Sequence, residues 1–186
     1  MENTKTADLK VGATKPLTIP FRRKNIRLLR SSYIGHQWYF LTTCTLDRIP
    51  RFQDGRLVAE ALGFLVEEAH THGFDIQAYC FMPDLLHLLT NGTHGAADCL
   101  SFVKTFKQRS GFAFKQRSQK RLWQDRPYDH ILRPEESWEA VAYYIWMNPV
   151  RVCSRNQARG EPRKLRALAV LQTKGSPYSS FFPFVS

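Results

Sequence analysis

The spacing of apolar and polar positions changes several times along the chain, and each change marks an element. Gln37 to Leu46 (QWYFLTTCTL) is aromatic and β-branched, the composition of a strand. Asp54 then precedes a run in which Val58, Ala61, Leu62, Leu65 and Ala69 recur at helical spacing and which closes near His72-Gly73, so a helix with one core-facing side is predicted there. Phe74 to Phe81 and Leu85 to Thr90 are two further apolar runs set around Met82-Pro83-Asp84. They read as strands of an antiparallel sheet joined or interrupted at Pro83, since proline cannot donate to a central ladder. After a turn region from Asn91 to Ala96, a second helix is predicted over about Cys99 to Lys115, with Phe102 and Phe106 packed and basic residues on its other sides. Leu122 to Leu132 reads as extended, and Ser137 opens a third helix that has to end by Pro149. The order β, α, β, β, α, β, α predicts one α+β domain with helices against an antiparallel sheet.

Composition narrows the classes. The chain has 186 residues, room for one domain, and its 43% apolar and 23% charged residues set aside wholesale disorder, collagen-like repeats and coiled coil. No stretch approaches the ~20 apolar residues of a membrane span, and Met1 to Pro20 has no apolar core of a secretion signal, so the expectation is a cytoplasmic protein without a membrane partner. Residues 1–31, with Pro16, Pro20 and the basic run from Phe21 to Arg27, read as a flexible basic arm; residues 32–155 hold the domain, and 156–186 form a basic C-terminal extension. The four cysteines (Cys44, Cys80, Cys99, Cys153) include no C-x-x-C pair and read as reduced structural thiols.

Charge changes the picture more. Against a net charge of +11, Ser101 to Arg133 holds nine basic residues and two acids, net +7, and Arg151 to Lys174 holds seven against Glu161, net +6. The rest of the chain is therefore net negative. A positive field concentrated in two blocks points to a polyanionic partner, with nucleic acid first.

Three blocks carry the chemistry: Phe81-Met82-Pro83-Asp84-Leu85-Leu86-His87-Leu88-Leu89, Arg121 to Arg133 (RLWQDRPYDHILR), and Ala140 to Val150 (AVAYYIWMNPV). On a helix Tyr144 and Asn148 share a face, while Tyr143 is turned from Tyr144 by about 100°. Taken in order with Phe106-Lys107-Gln108-Arg109-Ser110-Gly111-Phe112 and Ser176-Pro177-Tyr178-Ser179-Ser180, these blocks resemble the single-tyrosine transposases of the HUH superfamily, especially the REP-associated tyrosine transposases of the IS200-like family. The resemblance runs from about Trp38 to Val152. It implies a ferredoxin-like or RRM-like domain that binds hairpin-bearing single-stranded DNA, then cuts and rejoins it through a 5′-phosphotyrosine. It assigns the nucleophile to Tyr144. It also implies a divalent cation, magnesium or manganese, held by two histidines of a His-hydrophobic-His strand and by an amide one helical turn after the tyrosine, here Asn148.

The chemistry of these side chains agrees with those roles. A phenol of pKa ~10 is an oxygen nucleophile that a cation and a bound phosphate can activate. Strand residues at i and i+2 face the same way, so a His-x-His strand offers two nitrogens to one ion. Here the pair aligns with Leu85 and His87, and leucine has no atom that binds a cation; His87 and Asn148 are the matched ligands that remain. Asp84 is nearby, but strand alternation aims it at the opposite face.

Lys104, Lys107 and Arg109 on the second helix, and Arg117, Lys120, Arg121 and Arg126 ahead of the next strand, are expected to line a phosphate path. Trp123 is a candidate for stacking on unpaired bases, with core packing as its alternative; Tyr128 and His130 are candidates of the same kind. The expected partner is single-stranded DNA with hairpins, which would bring the protein to the nucleoid, and the sequence leaves monomer and homodimer both open. Two readings of function follow: a tyrosine transposase impaired at Leu85, or a catalytically silent protein that kept the hairpin-binding platform. An RNA-binding module on an RRM-like sheet ranks below both, because the expected RNP aromatic motif is missing.

Overall fold

The computed structural model describes residues 29–125, 128–158 and 168–171. The residues of the proposed arm up to 28, Arg126, the Tyr128 and Cys153 side chains and Ser176 to Ser180 lie outside the described residues.

Five strands form one antiparallel sheet in the order β4-β1-β3-β2-β5: β1 is Trp38–Cys44, β2 Phe74–Met82, β3 Leu85–Gly92, β4 Tyr128–Ile131 and β5 Leu168–Leu171. Among the described residues three α-helices cover it, α1 (Gly55–Thr71), α2 (Cys99–Ser118) and α3 (Trp138–Ala158). The α+β class, the antiparallel sheet and the order of the first seven elements are those the sequence predicts.

Local chemistry explains the boundaries. The Asp54 carboxylate accepts from the Arg56 N–H and caps α1, whose buried face is Leu57, Val58, Ala61, Leu65 and Ala69. The helix stops at His72, and Gly73 follows at φ 70, a left-handed conformation that glycine adopts without a Cβ clash. Asp98 caps α2 by accepting from Leu100 and Ser101, and Lys115 and Arg117 in its last turn suit the negative end of the helix dipole. Pro83 and Asp84 form the two-residue turn between β2 and β3, with Met82 paired to Leu85. Proline is tolerated there because the turn requires no ladder donor at that position.

Strand alternation divides the sheet into two apolar faces. Tyr39, Leu41, Phe81, Leu86 and Leu88 pack under α1 and α2 with Leu65, Phe102 and Phe106. Phe40, Ala78, Cys80, Met82 and Leu89 pack on the opposite face against Val141, Ala142 and Ile145 of α3, with Leu85 and Tyr144 at the margin of that cluster. Cys80 and Cys99 are buried free thiols and Cys44 a half-buried one, and burial pushes the Cys80 thiol up to about 12.

Two expectations are corrected. The third helix does not end by Pro149 but runs through it to Ala158. A helical proline forfeits one backbone bond, to the carbonyl four residues earlier, and crowds that carbonyl; packing of α3 on β2, β3 and β5 outweighs that local cost. The segment after the third helix, read as an extension, contributes β5, which pairs Leu168 to Leu171 with Phe81 to Ala78 and extends the sheet beyond β2. Among the described residues no helix is long and apolar enough to cross a membrane.

Candidate functional site

The face of the sheet under α3 gathers the chemistry-bearing side chains. In the β1–β3 ladder Thr42 stands opposite His87 and Cys44 opposite Leu85, and cross-strand partners in an antiparallel pair project from the same face. The Thr42 hydroxyl and His87 Nδ1 are hydrogen-bonded at 2.8 Å, which fixes the ring and turns Nε2 away from β1. The His87 ring stacks near Phe40, with centroids 5.6 Å apart, and meets Tyr144 edge-on at 6.3 Å. Tyr144 in turn meets Phe40 edge-on at 6.1 Å.

Burial pushes the His87 imidazole down to about 4, helped by the positive charge of Arg48. The ring is therefore neutral at physiological pH. A base whose folded pKa is depressed contributes stability above its unfolded pKa, and that stability is lost as pH falls toward the folded value. Between pH 6.5 and about 4 the unfolded chain takes up a proton that folded His87 refuses, a loss on the order of 3 kcal/mol. His87→Gln is expected to flatten that part of the profile, measurable as denaturant midpoints at neutral pH and near pH 4; an unchanged profile would remove His87 as the cause.

On α3, Tyr144 is half-buried and turned to the sheet, whereas Tyr143 is 47% exposed and rests against Trp146 with ring centroids 5.8 Å apart. One turn beyond Tyr144, Asn148 is 7% exposed and its Nδ2 has no hydrogen-bond partner among the described residues. Buried amides are nearly always paired, so an orphaned one on the same helix as Tyr144 is a donor open to an external polar group. The structure thus sets the His87 ring against Tyr144, with Asn148 one turn further along α3, and turns Tyr143 away from them.

Leu85 is half-buried and apolar against the α3 cluster. Asp84 lies in the turn, and its carboxylate is held by Arg48 Nε at 3.0 Å. Thr42 and Arg48 are the residues that sequence reasoning missed. Thr42 becomes visible only once the register sets it opposite His87.

The expected DNA-binding residues separate into groups. Lys104, Lys107, Arg109, Arg121 and Trp123 all border a cleft of about 910 Å³ between α2 and the segment from Arg121 to Asp125. Within it Lys107 Nζ donates to the carbonyls of Gln124 and Asp125, at 2.5 and 3.2 Å, and burial lowers its pKa. Arg109 is tied to Glu67 and to buried Glu68, and Arg117 to Glu60, so both join α2 to α1. Arg121 pairs with Asp125. Lys104 and Lys120 carry no ion pair among the described residues. Trp123 requires a correction: it is 5% exposed, packs on Phe52 and Phe106, and donates its indole N–H to Ser110 Oγ at 2.9 Å. A side chain so enclosed has no free face for a base. His130 is bonded to Glu136 at 2.8 Å.

No protein-family model and no curated protein matches the chain. Among solved structures it is similar to a REP-associated tyrosine transposase bound to a REP hairpin, at 19% identity and TM-score 0.56 over 89% of this chain and 98% of that one. The fold is that of a REP-associated tyrosine transposase. A protein of Deinococcus radiodurans R1 assigned as a transposase is similar at 17% identity and TM-score 0.46, over 75% of this chain and 98% of that one.

The divalent cation that the sequence resemblance implies finds no complete set of donors among the described residues. Leu85 offers no donor, and the described residues contain no group of three or more His, Cys, Asp or Glu side chains able to hold a metal ion. The ladder position beside Leu85 is taken instead by Cys44 with the Arg48 guanidinium on it, Nη1 to Sγ at 2.7 Å. A fixed positive charge at that point opposes a second cation.

Proposed function

We propose that this chain is a transposase-like protein that binds hairpin-bearing single-stranded DNA and presents one phosphodiester of it to Tyr144. The observation that carries the reading is the orphaned, buried Asn148 amide one turn from a tyrosine that faces neutral His87. Support comes also from the likeness to a fold whose solved representative holds a REP hairpin, and from the cationic cleft beside α2.

In the proposed reaction Tyr144 Oη attacks the phosphorus, the new Oη–P bond replaces the bond from phosphorus to the 3′ oxygen, and the phenolic proton ends on that oxygen. The products are a 5′-phosphotyrosine and a free 3′-hydroxyl. Asn148 would hold a non-bridging phosphoryl oxygen through its amide, a donor aimed at developing charge.

The test is to mix the protein with a hairpin carrying a single-stranded flank, denature it, and map the attached nucleotide by mass spectrometry. A nucleotide on Tyr144 is expected, and one on Tyr143 would refute the assignment. Hairpin binding without any adduct would favour the second reading, a silent binding protein, for which the apolar Leu85 is the specific argument.

A further inference from the structure

The turn after β1 has two consecutive non-glycine residues in the left-handed region, Asp47 at φ 53 and Arg48 at φ 56. Such a pair is uncommon and persists only where the surroundings fix it. Its effect is to double the chain back, so that the Arg48 side chain reaches Cys44, four residues earlier, on the face of the sheet that bears His87. The guanidinium is held twice, by Nη1 donating to Cys44 Sγ at 2.7 Å and by Nε paired with the Asp84 carboxylate at 3.0 Å. Its Nη2 has no partner among the described residues. The side chain is 52% exposed, so the held group still meets solvent.

Cys44 lies directly opposite Leu85 in the ladder. The guanidinium therefore stands at the strand position that lacks a metal donor. We propose that Arg48 is a phosphodiester-binding residue of this site, its guanidinium taking the place that a histidine-held metal ion would have and gripping the backbone of the single-stranded flank without metal. The proposal deepens the function set out above and rests on it. Planar, pre-oriented donors match phosphoryl oxygens well, and charge-assisted bonds to them are stronger than neutral ones. Asp84 offsets the charge at long range, so Arg48 acts through contact with the phosphate.

Two measurements test this on the full chain. In the first, affinities for a hairpin alone and for the same hairpin with a single-stranded flank are compared in EDTA. Wild type is expected to gain affinity from the flank. Arg48→Gln should lose about tenfold of that gain and leave the affinity for the hairpin alone unchanged. A flank gain that vanishes in EDTA for wild type, or that survives intact in Arg48→Gln, overturns the proposal. Failure of wild type to bind the hairpin at all would sink the function reading instead.

The second measurement uses no DNA and reads whether the Arg48–Asp84 pair stands beside the ion position. Mn²⁺ titration of Leu85→His is compared with that of the double variant Leu85→His, Arg48→Gln. The double variant should bind Mn²⁺ at least about tenfold more tightly, because the guanidinium beside the ion is gone and the Asp84 carboxylate it held is released. Equal behaviour of the two variants overturns the proposal.

Discussion

Tyr144→Phe is expected to abolish the covalent adduct with flanked hairpin DNA, a loss of more than about 1000-fold in strand cleavage, while Tyr143→Phe keeps most of it. The reason is positional. Tyr144 meets His87 and Phe40 at the sheet and lies one turn from the unpartnered Asn148 amide, whereas Tyr143 faces outward against Trp146. Removing the attacking oxygen leaves nothing to form the bond to phosphorus, and binding contacts elsewhere do not substitute for it. Gel-resolved protein–DNA adduct is the readout, with hairpin affinity measured in parallel to show that substrate is still bound. An undiminished adduct in Tyr144→Phe would refute the nucleophile.

Trp123→Ala carries the largest expected effect on stability, about 3–5 kcal/mol for truncating a buried aromatic. The indole fills space between Phe52 and Phe106, and Trp123 bridges to Thr45 just beyond β1. Its N–H is satisfied by Ser110, whose own hydroxyl donates to the Phe106 carbonyl at 2.6 Å. Removal opens a cavity and strips Ser110 of a donor. Urea denaturation followed by circular dichroism should show the lower midpoint, and hairpin affinity, measured where the variant is still folded, should be nearly unchanged. The reverse result, native stability with lost affinity, would return Trp123 to the DNA surface.

The contrast between these residues shows what was legible in the sequence. The capped, amphipathic α1 could be read because Asp54, the spacing from Val58 to Ala69 and Gly73 are local signals that tertiary packing does not override. Tyr144 and Asn148 could be set on one face by helix periodicity, whereas His87 joined them only through what the family resemblance implies. Pro149 misled because proline's cost is local, while α3 packs on three strands. The strand Leu168–Leu171 is four residues in a basic segment, too short to stand out before β2 offers it an edge. Trp123 was ambiguous because stacking and core packing call for the same side chain, and only the small Ser110 opposite it decides.

Arg48 was hidden for a different reason. Its contact with Cys44 depends on two left-handed residues, and its meaning depends on the register that sets Cys44 opposite Leu85. Neither is visible in residue spacing. For Arg109 and Arg117, charge count could not show that each also pairs with Glu60, Glu67 or Glu68 on α1.

The central claim is that the chain recognises a hairpin continued by a single strand, and competition at matched salt tests it most directly. Labelled flanked hairpin is bound first, then challenged with unlabelled flanked hairpin or with blunt duplex of equal length, at several salt concentrations. The account predicts that the flanked hairpin competes far better throughout and that affinity falls steeply with salt, as counterion release from phosphate contacts requires. Equal competition by the blunt duplex would contradict it.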